Sequence, residues 1–76
     1  MANTTLDAQG LACPMPIVKL TKAAKSMAGG DQITVLADDP GFEPDVKAWV
    51  EAQGHDLKSI TESDGVFTAV VELKSG

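Results

Sequence analysis

Apolar residues recur at a helical interval in two segments of this 76-residue chain and in short strand-like runs in the four segments around them. The resulting order, β-α-β-α-β-β, constrains the fold more than any other feature. A strand, a helix and a second strand of one sheet run parallel with a right-handed crossover in nearly all cases, so both helices fall on the same face of one sheet. The expected architecture is an α+β two-layer sandwich, a mixed four-stranded sheet with two helices on one face. Residues 1–76 are read as a single domain without repeat or linker. A chain this short buries only about 60% of the surface its unfolded form exposes, so its core is small.

Local signals set the element boundaries. Thr4 to Ala8 reads as a first strand with Leu6 and Ala8 on one face. Ile17, Leu20, Ala24 and Met27 trace the apolar stripe of a helix from about Pro14 to Ala28, with Gly29-Gly30 as its left-handed stop. The β-branched run Ile33-Thr34-Val35-Leu36-Ala37 suits a strand buried on both faces. Asp38-Asp39-Pro40-Gly41 precedes the second helix, and Asp39 is expected to cap it. Phe42, Val46, Trp49, Val50 and Gln53 share its apolar face, while Pro44 moves the regular start to Glu43 or Pro44. Leu57 to Glu62 and Val66 to Leu73 form two strands joined at Asp64-Gly65, a dipeptide that tolerates positive φ at both positions.

The chemistry concentrates at Cys13-Pro14-Met15-Pro16, where the first strand gives way to the first helix. The first N–H groups of a helix lack internal partners and carry the positive end of its dipole. A thiolate is favoured there, which raises the nucleophilic fraction of a group that titrates near ~8.5 when free. Pro14 and Pro16 stiffen the backbone around the thiol and remove competing donors. A lone cysteine is often an inert apolar residue, but such a residue belongs inside a periodic apolar segment, and Cys13 lies between a strand and a proline-framed helix start. Met15, held between the prolines, is a candidate for partner docking. Lys19, Lys22 and Lys25 form a row on the same helix, either its solvated face or a surface for an acidic partner. Asp38 and Asp39 fall on the same sheet edge as Cys13, and so does the Asp64-Gly65 hairpin. They could orient an incoming group, or oppose the thiolate by repulsion, besides capping the second helix.

Other chemistries find little support. A net charge of −5 and the absence of arginine argue against a grip on nucleic acid. No run approaches membrane-spanning length, the N-terminus does not resemble a signal peptide, and a cytoplasmic location is expected. A single cysteine excludes an internal disulfide and a Cys-x-x-Cys pair. His55, the one histidine, follows the second helix and is placed at the opposite sheet end from Cys13, which argues against a Cys-His pair and a metal site. No phosphate-binding loop is present, and no cofactor is expected.

Leu11-Ala12-Cys13-Pro14-Met15-Pro16, Gly29-Gly30-Asp31, Asp38-Asp39-Pro40-Gly41-Phe42, Gly54-His55-Asp56-Leu57 and Asp64-Gly65-Val66 together resemble the SirA/TusA-like sulfur-carrier family from end to end. The resemblance implies the two-layer fold and a Cys13 that accepts sulfane sulfur as a persulfide, with Pro14 and Pro16 as its rigid frame. It implies two kinds of protein partner, a sulfur donor of desulfurase or rhodanese type and an acceptor bearing a thiol; Met15, Lys19 and Lys22, by their own position near the thiol, are the candidate docking residues. Members that feed transfer-RNA thiolation resemble Arg-Cys-Pro-Glu-Pro at the motif. Ala12 and Met15 here are more similar to relatives in sulfur oxidation or thiosulfate use. An alternative from another class is an interaction or regulatory module with an incidental thiol. A redox sensor would need a resolving cysteine, which the chain lacks.

Overall fold

The structure, a computed structural model, describes residues 3–12 and 15–74. In chain order it contains β1 (Asn3–Asp7), α1 (Met15–Lys25), β2 (Gln32–Ala37), α2 (Phe42–Gln53), β3 (Asp56–Ser63) and β4 (Val66–Glu72). The strands form one sheet in the order β1-β2-β4-β3. β1 and β2 are parallel, as a strand-helix-strand crossover requires, and β4 inserts antiparallel between β2 and β3. The mixed four-stranded sheet and the β-α-β-α-β-β order are those expected from the sequence.

One face of the sheet meets the helices. Ile33, Val35 and Ala37 of β2, Ala69 and Val71 of β4, and Leu73 pack with Leu20 of α1 and with Phe42, Val46, Trp49 and Val50 of α2. The other face carries Thr34, Leu36, Thr68 and Val70, all only partly buried. β2 alternates between half-buried and buried residues, which corrects the expectation of a strand buried on both faces. Its β-branched residues serve a one-sided sheet, because both helices lie on the same side.

The two helices are held unequally. α2 buries four residues, whereas α1 buries only Pro16 and Leu20. A fully buried aliphatic side chain stabilises by about 1.5–3 kcal/mol, so Leu20 is the principal apolar anchor of α1. A polar tie supplements it: the Trp49 indole N–H donates to Thr21 Oγ1 at 3.0 Å, and the Thr21 hydroxyl donates to the Ile17 carbonyl oxygen at 2.8 Å.

Two helix boundaries differ from expectation. α1 ends at Lys25, not Ala28, and Gly29-Gly30 do not cap it. The chain leaves through short turns in which the Ser26 and Met27 N–H groups donate to Ala23 and Ala24. Gly30, at φ +92°, belongs to the following turn, where the Asp31 carboxylate accepts from the Ala28 N–H. α2 begins at Phe42 despite Pro44. Pro44 is its third residue, whose N–H would have no intrahelical acceptor, so the ring costs no bond. Gln53, placed by its spacing on the apolar face, is exposed as the last residue of the helix. At Asp64-Gly65 both residues have positive φ, +53° and +80°, the geometry of the tight hairpin expected at that dipeptide.

Candidate functional site

The β1 C-terminus, the start of α1, the segment after β2 and the β3–β4 hairpin gather at one end of the sheet. Pairing of Ala37 with Phe67 brings the hairpin there. The Phe42 and Phe67 rings, 6.3 Å apart, pack at that end. Cys13 and Pro14 lie outside the described residues, and with them the helix start expected at Pro14; their neighbours define the surroundings. Ala12 is exposed on the near side, Met15 opens α1 on the far side, and the Met15 N–H donates to the Ala12 carbonyl oxygen at 2.8 Å.

The segment leading to Cys13 is tied at every amide from Ala8 to Leu11. The Ala8 N–H extends the sheet ladder to the Leu36 carbonyl oxygen at 2.7 Å, and the Leu11 N–H donates to the Ala8 carbonyl oxygen at 3.4 Å. The Gln9 N–H donates to Asp7 Oδ1 at 3.0 Å. The Gly10 N–H donates to both oxygens of Asp38, at 3.1 and 3.0 Å. Gly10 sits at φ +81°, a conformation glycine adopts without the clash a side chain would bring. Half-buried Leu11 then packs against the core.

Beyond this loop, α1 presents an apolar and basic surface. Met15 is 47% exposed and Val18 36%, the two large apolar side chains left open among the described residues. Lys22 and Lys25 are exposed beyond them. Lys19 is also exposed, but its Nζ donates to the Asp7 carbonyl oxygen at 3.2 Å, so it ties α1 to the end of β1. Pro16 is buried as the second residue of α1, within the first turn that tolerates it.

Asp38 and Asp39 reach the expected end of the sheet, but neither side chain caps α2. Its N-cap is Gly41, without a side-chain bond, and the Phe42 N–H donates to the backbone oxygen of Asp39. Pro40 and Gly41 set α2 back from the Asp39 carboxylate, whose Oδ2 is enclosed with no hydrogen-bond partner among the described residues. The capping expectation is therefore corrected: Asp38 holds the loop before Cys13 instead. That pairing was not read from the sequence, since 28 residues separate its partners. The one local signal was a glycine between a strand end and the cysteine.

His55 lies at the other end of the sheet, as expected. Its Nδ1 accepts from the Lys74 N–H at 3.0 Å, and its ring packs 5.1 Å from that of Trp49. Nearby, Lys58 bridges Asp56 and Glu72 at 3.2 and 3.4 Å, and Lys74 reaches Glu72 at 2.9 Å. The hydrogen bond from Lys74, followed by the charge of Lys58, holds the Glu72 carboxyl below its ordinary range. The hydrogen bond to Asp56 and the charge of Glu72 raise Lys58 in turn. Among the described residues, no group of three or more His, Cys, Asp or Glu side chains is placed to hold a metal ion. No helix among them is long and apolar enough to cross a membrane.

Residues 4–73 match the family model described as sulfurtransferase TusA. A candidate sulfur carrier protein of Neisseria meningitidis serogroup A is 47% identical over 74 residues, which span 97% of this chain and 100% of that protein. The sulfur carrier protein TusA of Allochromatium vinosum is 36% identical over 67 residues, 88% of either chain. Among solved structures, a SirA-like protein from Desulfitobacterium hafniense superposes with a TM-score of 0.81 at 28% identity, covering 95% of this chain and 99% of that one.

Proposed function

The chain belongs to the TusA sulfurtransferase family, and on that premise we propose that it is a single-domain sulfur carrier whose Cys13 takes up sulfane sulfur and passes it to a partner thiol. One observation carries the assignment of the residue. The family match spans residues 4–73, and Cys13 is the only cysteine in the chain, so sulfur carried on a thiol is carried there.

The chemistry is two exchanges with no net redox change. The Cys13 thiolate attacks the terminal sulfur of a donor persulfide, the donor's S–S bond breaks, and the donor leaves as a thiolate. The product is a Cys13 persulfide. An acceptor thiolate then attacks its outer sulfur, and Cys13 departs as thiolate, ready for another cycle. Pro14 and Pro16 follow Cys13 in the sequence, and the positive end of the α1 dipole favours the anionic form of a thiol placed before it.

Donor and acceptor must each reach the same sulfur, which calls for an open and reusable surface. Met15 and Val18 supply exposed apolar area beside the motif, and Lys22 supplies positive charge suited to an acidic partner. Lys19 contributes at the rim while bound to β1. Met15 stands where the transfer-RNA members resemble Glu, and this apolar contact supports a place in sulfur oxidation or thiosulfate use. The expected compartment is the cytoplasm.

The test is cyanolysis after loading. Protein exposed to a cysteine desulfurase with cysteine, or to a rhodanese with thiosulfate, is desalted and treated with cyanide. About one equivalent of thiocyanate per chain is expected, and none from Cys13→Ser. Equal release from both proteins would refute the assignment. A Cys13→Ser protein that keeps all partner-dependent effects would instead favour an interaction module with an incidental thiol.

A further inference from the structure

We propose that Asp38 is a positioning residue for sulfur exchange, acting through the Gly10 amide to fix the loop that presents Cys13; this rests on Cys13 as the carrier residue. Among the described residues, Asp38 supplies the one side chain from outside β1 and its loop that bonds this loop. The other amides from Ala8 to Leu11 are satisfied by the sheet ladder or by atoms of β1 and the loop itself. Asp38 follows β2, the neighbour of β1, so the bond ties the loop to the rigid part of the sheet. A carboxylate acceptor makes a stronger hydrogen bond than a neutral one, and both of its oxygens lie within reach of the same N–H.

Gly10 completes the device. A Cβ added there would meet nothing within 4 Å, so the position demands glycine for its φ of +81° and not for space. In that conformation the turn presents its N–H to Asp38. Asp38 therefore has a use that its placement on the cysteine's edge alone did not reveal. It bears a negative charge on the side where a thiolate must form, and that charge is spent on an amide.

Positioning and simple charge have opposite signatures. If Asp38 acted only as a nearby negative charge, Asp38→Asn and Asp38→Ala would lower the pH midpoint of Cys13 alkylation alike. A tether predicts a split. Asparagine keeps an oxygen for the Gly10 N–H, whereas alanine frees the loop. The expected result is that Asp38→Ala alkylates with a midpoint above that of Asp38→Asn and takes sulfur from a desulfurase about tenfold more slowly than wild type. Asp38→Asn should stay within about threefold of wild type.

Gly10→Ala should fall with Asp38→Ala, and the double variant should be no worse than either, because both remove one tie. Circular dichroism of each variant checks that the fold survives. Equal behaviour of the alanine and asparagine variants would overturn the proposal, and so would multiplicative losses in the double variant. If the wild type takes up no sulfur, the carrier reading fails by itself. The iodoacetamide profiles then still decide whether Asp38 positions the thiol.

Discussion

The bond between Trp49 and Thr21 decides how firmly α1, and with it the start of the candidate site, is held. Thr21→Val keeps the shape of the side chain and removes the hydroxyl. The Trp49 N–H then loses its acceptor in a residue only 9% exposed, and an unsatisfied buried donor costs about 1–3 kcal/mol. The bond from the Thr21 hydroxyl to Ile17 is lost at small cost, because that carbonyl lies in a helix and has its own ladder acceptor role. At about 0.05–0.15 kcal/mol per residue, a 76-residue chain has a total stability of roughly 4–11 kcal/mol. The substitution should lower the melting temperature by about 5–20 °C, at about 4–8 °C per kcal/mol for a domain this size. Thermal melts followed by circular dichroism measure it. In a Trp49→Phe background, where the donor is already gone, the same substitution should cost little, giving a coupling of about 1–2 kcal/mol. A Thr21→Val protein that melts within about 1 °C of wild type would refute the reasoning, since the indole would then have no need of the hydroxyl.

Leu20→Ala should cost about 3–5 kcal/mol in urea unfolding, a large share of the total, because it empties the main buried contact of α1. A loss under about 1 kcal/mol would mean that α1 is anchored elsewhere. Gly65→Ala should cost about 1 kcal/mol by the same assay, since a side chain must enter φ +80°; a stabilised variant would contradict the hairpin geometry. Because the Glu72 carboxyl is depressed, its contribution is present above the ordinary carboxylate range and is lost as pH falls through its folded value. Lys74→Ala should move its carboxyl midpoint upward in an NMR titration, and an unmoved midpoint would dismiss the ion pair.

What the sequence carried and what it withheld divide along the range of the interactions. Asp64-Gly65 announces its hairpin because two adjacent residues contain the whole requirement for positive φ. The spacing from Phe42 to Val50 locates the buried face of α2 because helical periodicity is local. The insertion of β4 between β2 and β3 is not local, since it depends on which strand edges remain open after the helices pack. β-branched residues such as Ile33 and Val35 fit one-sided and two-sided strands equally, so composition alone misjudged the burial of β2. Pro44 and Gly29-Gly30 misled in opposite ways. A proline in the first turn looks like a late start, and a glycine pair looks like a helix stop when turns have already ended the helix.

The site was legible in the same uneven way. Cys13-Pro14-Met15-Pro16 marks a strand-to-helix junction from its residues alone, and Asp38 was placed on the right edge by topology. Its bond to Gly10 required the backbone of the loop to turn its amide toward β2, a matter of tertiary geometry across 28 residues.

The most direct test of sulfur carriage is the intact mass of the reduced protein after exposure to a desulfurase with cysteine or a rhodanese with thiosulfate. Carriage on Cys13 predicts a gain of roughly 32 Da, one sulfur atom, that a reductant removes, that peptide analysis assigns to Cys13 and that Cys13→Ser never shows. A thiol that alkylates freely but gains no sulfur from either donor would contradict it.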